Sequence, residues 1–271
     1  TTVSYKEYKT YYYFMKNQYE SILGTDIWKY NKAVKDKSVG QEAIESVLRQ
    51  IIQVKVIGKE AAIEKVQLET DEKEEADYRA KTVFDSIPAK DKQTQGIELK
   101  VLSKIFEENK LAQKMYNVQM GKLKIDYAAN TLSAAKVELI YQAANAKNKE
   151  TVKNTMSRIL SEVTSSQNSF YTVAKNKTQA DAIEYVIGNQ DSRTNLAKAV
   201  VSLKKNQTSA LIEEKDGFYI AHCIQTNSAA LQQQYRNQLV SEKQTESFQK
   251  TYKTWSDKFD VKVSKALLAA N

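Results

Sequence analysis

His222 and Cys223 are the chain's one histidine and one cysteine, and they are neighbours. An imidazole moves protons near neutral pH, and a thiol becomes a nucleophile once it is deprotonated. One of each excludes a good deal. A two-histidine metal site, an HExxH zinc site and an intrachain disulfide are all ruled out. A serine or cysteine triad would have to run through His222. The chain has no G-x-S-x-G elbow, no P-loop and no glycine-rich dinucleotide loop. Gly217 opens the run Phe218 to Ile224, which reads as a strand. Side chains alternate along a strand, so Tyr219 and Cys223 share one face and His222 points to the other. His222 reads as a packed or edge histidine, and Cys223 as a small core residue. Ordinary catalytic chemistry has little to work with, and neither a metal nor a cofactor is expected.

That strand closes a β-α-α-β-α-β run. Lys136 to Tyr141 reads as the opening strand, Thr151 to Ser165 and Phe170 to Ala174 as helices, and Ile183 to Val186 as a strand stopped by Gly188. Asp191 to Leu203 is a further helix with Leu196, Ala199, Val200 and Leu203 inward. Together these make a small α+β domain of about 95 residues.

Helical patterns flank it on both sides. Seven of the sixteen tyrosines lie in the first thirty residues, and Tyr8, Tyr12, Met15 and Tyr19 fall on one helical stripe. The stripe reads either as a buried aromatic face or as an aromatic wall for unfolded peptide, since large amphipathic rings bury area at little entropic cost. Gly24 ends that helix and Trp28 follows in a turn. Ile44 to Ile63 follows the 3.6-residue period. Thr70 is expected to cap the next helix, Ala89 to Gln95 to form a loop, and a fourth helix to begin near Gly96. Ala229 to Phe259 reads as one long helix, with a terminal strand at Val261-Lys262-Val263. The fold expected is mainly α with an inserted α+β domain. Its parts are an N-terminal helical region over 1–132, the α+β domain over 133–227, and a C-terminal segment over 228–271 that packs on the first.

Composition fits this picture. Of 271 residues, 41% are apolar and 27% charged, enough for a core and too apolar for a disordered chain. One proline and seven glycines suit long helices joined by short turns. No apolar run has the length of a membrane span. The net charge of +8 would attract anionic partners, but the lysines are interleaved with acids and match no nucleic-acid motif. The chain opens at Thr1 without a charged-then-apolar leader, which reads as a processed or truncated form.

Three stretches resemble the PrsA-type extracytoplasmic foldases of Gram-positive bacteria, relatives of SurA and trigger factor. They are Tyr19-Glu20-Ser21 with Gly24 to Trp28 and the helix beyond; Ala199 to Lys204 with Asp216 to Ile220; and Leu239 to Phe248 running into Trp255. The resemblance implies a helical chaperone lobe built from both ends of the chain and a parvulin-type (PpiC) peptidyl-prolyl isomerase domain between them. A parvulin site has an apolar proline pocket, two histidines on adjacent strands and a nearby thiol or carboxylate. Carried over, the first histidine belongs to Val137 to Tyr141, which has none. The second becomes Tyr219, the acidic position falls near Asp181 or Ala182, and the pocket aromatic becomes Val201. Cys223, on the Tyr219 face, completes a degenerate catalytic set of Tyr219, Cys223 and Asp181. Val201, Tyr185 and Phe218 would line the substrate site, and Tyr8, Tyr12, Tyr19 and Trp28 would meet clients in the helical lobe.

The function implied is an extracytoplasmic foldase and chaperone for unfolded secreted polypeptides, with a weak or inactive isomerase domain. The alternatives are an active prolyl isomerase and a binder of anionic envelope polymer or nucleic acid; of these partners, nucleic acid is not expected. The family also implies a cell-surface lipoprotein, anchored to the outer leaflet through a cysteine upstream of Thr1, and a homodimer in some members.

Overall fold

The computed structural model describes residues 3–29, 38–128, 131–165, 169–260 and 262. The described residues are mainly helical with one four-stranded antiparallel sheet. It divides into two compact units, one of Thr1–Lys124 with Thr245–Asn271 and one of Ile125–Gln244. The sheet unit is thus an insertion in the sequence of the helical one.

The helical unit contains α1 (Tyr5–Leu23), a 3-10 turn (Thr25–Lys29), α2 (Val39–Ile63), α3 (Thr70–Ser86), α4 (Ala89–Gln95) and α5 (Leu99–Gly121). Ser4 caps α1 by accepting from the Glu7 amide, and Gly24 ends it at φ 78°, a conformation that a side chain disfavours. Tyr8 and Tyr11 are buried with Val47, Ile51 and Ile105, and Tyr12 packs at the margin. Ser38 and Gln41 form a reciprocal capping box at the start of α2. The cap of α3 is Glu69, not Thr70. Glu69 is the extended residue, and the Glu72 carboxylate accepts its N–H at 2.8 Å.

Residues 89–95, expected as a loop, form the short helix α4. Its composition carries no apolar stripe, but Pro88 precedes it with φ already near helical values and Gly96 closes it in the left-handed conformation. Two charged groups sit inside this unit with partners. Glu60 is buried against Lys258 at 3.1 Å, and Glu7 meets Lys55 at 2.6 Å.

The sheet unit contains β1 (Ala134–Ala143), α6 (Lys149–Ser165), α7 (Phe170–Lys177), β2 (Glu184–Gly188), α8 (Thr194–Ser202), β3 (Ile212–Glu214) and β4 (Gly217–Gln225). The strand order is β2-β1-β4-β3. The extra strand β3, three residues long, lies beyond the expected order; it pairs with β4 across a tight turn. Gly217 belongs to that turn: a Cβ there would stand 2.2 Å from the Gln142 carbonyl oxygen. The two faces of the sheet bury separate cores. Val137, Leu139, Tyr219, Ala221 and Cys223 pack with Leu196 and Val200 of α8. Ile140, Phe218 and Ile220 pack with Met156, Ile159, Phe170 and Val173 of α6 and α7.

The last helix, α9 (Ala229–Ser256), runs through both units. Leu231, Tyr235 and Leu239 bury with Leu132 and Ala134 in the sheet unit. Phe248, Tyr252 and Trp255 join Val56, Ile57, Ala61 and Met115 in the helical unit. The division therefore falls after Gln244, inside a helix that the sequence pattern assigns whole to the helical lobe. The expected strand at 261–263 falls outside the described residues, except for Lys262.

Candidate functional site

The α8 face of the sheet carries the candidate site. Tyr219 lies on β4 directly opposite Tyr141 on β1. Cross-strand partners on one face sit side by side, and the two rings stack with centroids 4.7 Å apart. Both phenols turn to the β3–β4 turn. The Tyr219 hydroxyl donates to the Asp216 carboxylate at 2.5 Å, and the Tyr141 hydroxyl to the Asp216 carbonyl at 3.0 Å. The Arg193 guanidinium lies over the Tyr219 ring at 5.5 Å. It is held there by Asp191, which accepts from Nε at 2.9 Å and from Nη2 at 2.6 Å.

This arrangement governs the ionisation of Tyr219. Burial, followed by the hydrogen bond to Asp216, drives the Tyr219 phenol well above its ordinary value. The paired Asp191 carboxylate raises Arg193 further into its charged form. Burial and the Asp216 charge raise Tyr141 as well. Near neutral pH both phenols therefore keep their protons and Arg193 its charge, so the site supplies hydrogen bonds and a cation face.

The remaining sequence-derived candidates separate. Cys223 shares the Tyr219 face, fully buried in its cluster, and burial raises its thiol, which suits a packed residue. Tyr185 packs at the edge of that cluster, and its hydroxyl accepts the Ala182 amide at 2.9 Å. Asp181 is exposed in the bend before β2 and takes no part in the cluster around Tyr219. Phe218 is on the opposite face, buried with Ile140 and Phe170; a β-strand cannot present consecutive residues to one side. Val201 lines a depression beside α8 with Asn189, Asp191, Thr194, Ala197 and Lys198 and is not part of the buried Tyr219 cluster. His222 occupies the far face, as strand alternation requires. It stacks on Phe170 at 5.3 Å and meets the Thr208 hydroxyl through Nδ1 at 2.9 Å.

Tyr141, Asp191, Arg193 and Asp216 were not among the expected site residues. For Tyr141 a signal existed: antiparallel pairing of the first and last strands puts an aromatic opposite Tyr219. Arg193 and Asp191 lie in a polar turn, where nothing in the spacing distinguishes them.

The helical unit holds the other candidates. Tyr8 is 1% exposed and stacks with Tyr12. Tyr19 stacks with Trp28 at 5.8 Å, and the indole N–H donates to Glu20 at 2.8 Å. Beside them Ile22 and Leu23 are 70% and 56% exposed. Among the described residues no group of three His, Cys, Asp or Glu side chains is placed to hold a metal ion, and no helix is long and apolar enough to cross a membrane.

Residues 132–225, which span this sheet and its helices, match the family described as Rotamase: PPIC-type PPIASE domain. The sheet unit carries a PpiC-type domain. A crystal structure of a PpiC-type peptidyl-prolyl cis-trans isomerase domain is 20% identical, covering 37% of this chain and 98% of its own, with a TM-score of 0.32. The peptidylprolyl isomerase PrsA of Bacillus anthracis is 15% identical, covering 80% of this chain and 99% of its own, with a TM-score of 0.42. A SurA-like chaperone structure from Campylobacter jejuni is 13% identical, covering 89% and 94%, with a TM-score of 0.31. No curated protein matches the chain in sequence. The matched segment holds both the tyrosine pair and the arginine laid over it.

Proposed function

We propose that the chain is an extracytoplasmic foldase-type chaperone for unfolded exported polypeptides, whose PpiC-type domain is weak or inactive as an isomerase. The observation that carries this reading is the Tyr141–Tyr219 pair inside a PpiC-type domain, with its phenol proton already donated to Asp216. Prolyl isomerisation must lower a barrier of roughly 20 kcal/mol. A site does this by desolvating the peptide bond and offering it a hydrogen-bond donor. Here the Tyr219 donor is committed to a carboxylate, and a guanidinium covers its ring.

Client binding is assigned to the helical unit, where Tyr19, Trp28, Ile22 and Leu23 leave apolar surface exposed at the end of α1. Cell-surface attachment through a lipidated upstream cysteine, pairing of copies through the helical lobe, and a Gram-positive source belong to the same reading and rest on the resemblance. Two assays test it. Equimolar chain should suppress aggregation of an unfolded client, and no suppression removes the chaperone role. In a protease-coupled prolyl peptide assay the rate should stay near the uncatalysed one. A large acceleration that falls on Tyr219→Phe would establish the active-isomerase alternative instead.

A further inference from the structure

The turn from β2 to α8 carries both Asp191 and Arg193, so whatever fixes this turn fixes the guanidinium over Tyr219. Most of its amides are held from within the PpiC-type segment. Asn189 N–H donates to the Ser133 carbonyl at 2.9 Å, Asp191 N–H to the Gly188 carbonyl at 3.0 Å, and Arg193 N–H to the Asp191 carboxylate at 2.8 Å. The Asn189 side chain adds two more ties, to Ser133 and to Thr131 one residue before that segment. The amide of Gln190 is held from the far side of the segment. It donates to the hydroxyl of Tyr235 at 3.1 Å, and Tyr235 belongs to α9, beyond the matched segment that ends at 225.

The ring of Tyr235 is as constrained as its hydroxyl. It is 1% exposed, and a Cβ on Gly188 would lie 2.4 Å from its Cε1. Gly188 is therefore the notch that admits the ring, and the notch sits at the end of β2 where the turn begins. The same stretch of α9 is locked to the sheet unit on either side of Tyr235. Gln232 donates to the Leu132 carbonyl at 2.9 Å and Arg236 to the Tyr127 carbonyl at 3.1 Å.

We propose that Tyr235 is the positioning residue of this site: its ring seated on Gly188 and its hydroxyl on the Gln190 amide set the turn from which Asp191 and Arg193 reach Tyr219. The site is then incomplete within 132–225 and is finished by the first half of α9. This rests on the reading of the tyrosine pair as the domain's functional face, but its test does not depend on chaperone or isomerase activity.

The experiment compares Tyr235→Phe with Leu239→Ala in the full chain, followed by nitrogen-15 NMR. Tyr235→Phe keeps the ring in the notch and removes only the hydroxyl. Leu239 buries in the same α9 cluster, so its truncation loosens the packing without touching the turn. In the parent chain Arg193 should show a slowly exchanging Nε–H signal. In Tyr235→Phe the Gln190 amide should exchange roughly tenfold faster, as expected for one lost hydrogen bond, and the Arg193 Nε–H protection should be lost. Leu239→Ala should lower stability yet keep that signal. The proposal is overturned if the parent chain shows no protected Arg193 signal, if Tyr235→Phe retains it, or if both variants lose it alike.

Discussion

Tyrosines do different work in the two units. On α1 they are spaced along a helix, and each meets a different environment: Tyr8 is 1% exposed in the core, Tyr5 half exposed, and Tyr19 half-buried in a stack with Trp28. On the sheet, Tyr141 and Tyr219 come from strands some eighty residues apart and are brought ring to ring by register. The helix grades one residue type from core to surface within a few turns. The sheet gathers two copies at one point and fixes both hydroxyls on one turn. The first arrangement suits tolerant contact with varied apolar chains, and the second suits a defined local geometry.

The sharpest way to break this contrast is at Tyr8. Tyr8→Ala removes a buried ring and should cost about 3–5 kcal/mol, read as a lower urea midpoint for the helical unit. A change under about 1 kcal/mol would show that the stripe is not core. Tyr219→Phe comes next. It strips one part-buried hydrogen bond to a carboxylate and should cost about 1.5 kcal/mol, and it should also free Arg193 to move relative to the ring. An unchanged melting profile would mean that the Asp216 bond contributes nothing.

Trp28→Ala should have a smaller effect, about 1 kcal/mol, because the indole is half-buried and loses one stack and one hydrogen bond. Full burial would have implied several times that. Loss of client binding with this small stability change would assign the Tyr19–Trp28 pair to contact. A loss of 3 kcal/mol or more would assign it to the core.

The smallest effect should come from the far face of the sheet. Burial lowers the pKa of His222 below its ordinary value. The unfolded chain therefore takes up the proton first as pH falls. The contribution of His222 is complete above the unfolded pKa near 6.5 and is lost as pH falls from there to the folded value. His222→Asn should flatten the stability profile between pH 7 and 5; an equally steep profile in the variant would place the titration elsewhere. Glu138, raised by burial and by Glu184, acts in the opposite sense. Its contribution is complete below the unfolded carboxyl value and is lost as pH rises through the folded one.

Much of the architecture was legible in the amino-acid pattern. Apolar spacing marks α1, α2, α5 and α9, and alternation along β4 separates Tyr219 and Cys223 from His222. These are local properties, because helix and strand periods place side chains from sequence spacing alone. The polar helix α4 and the three-residue β3 left no such trace. Proline and glycine positions bound the first, and pairing with a neighbouring strand creates the second.

The site was legible only in part. The residue types of the sequence itself determined that no histidine pair exists and that the Tyr219 phenol shares a strand face with Cys223. Only the tertiary structure decided what that phenol does, because its environment is assembled from β1, the β2–α8 turn, the β3–β4 turn and a helix beyond the domain. Asp216 accepts its hydrogen bond and Arg193 covers its ring. Such convergence depends on strand register and on the seat of Tyr235 against Gly188, and both are long-range contacts that no local spacing encodes.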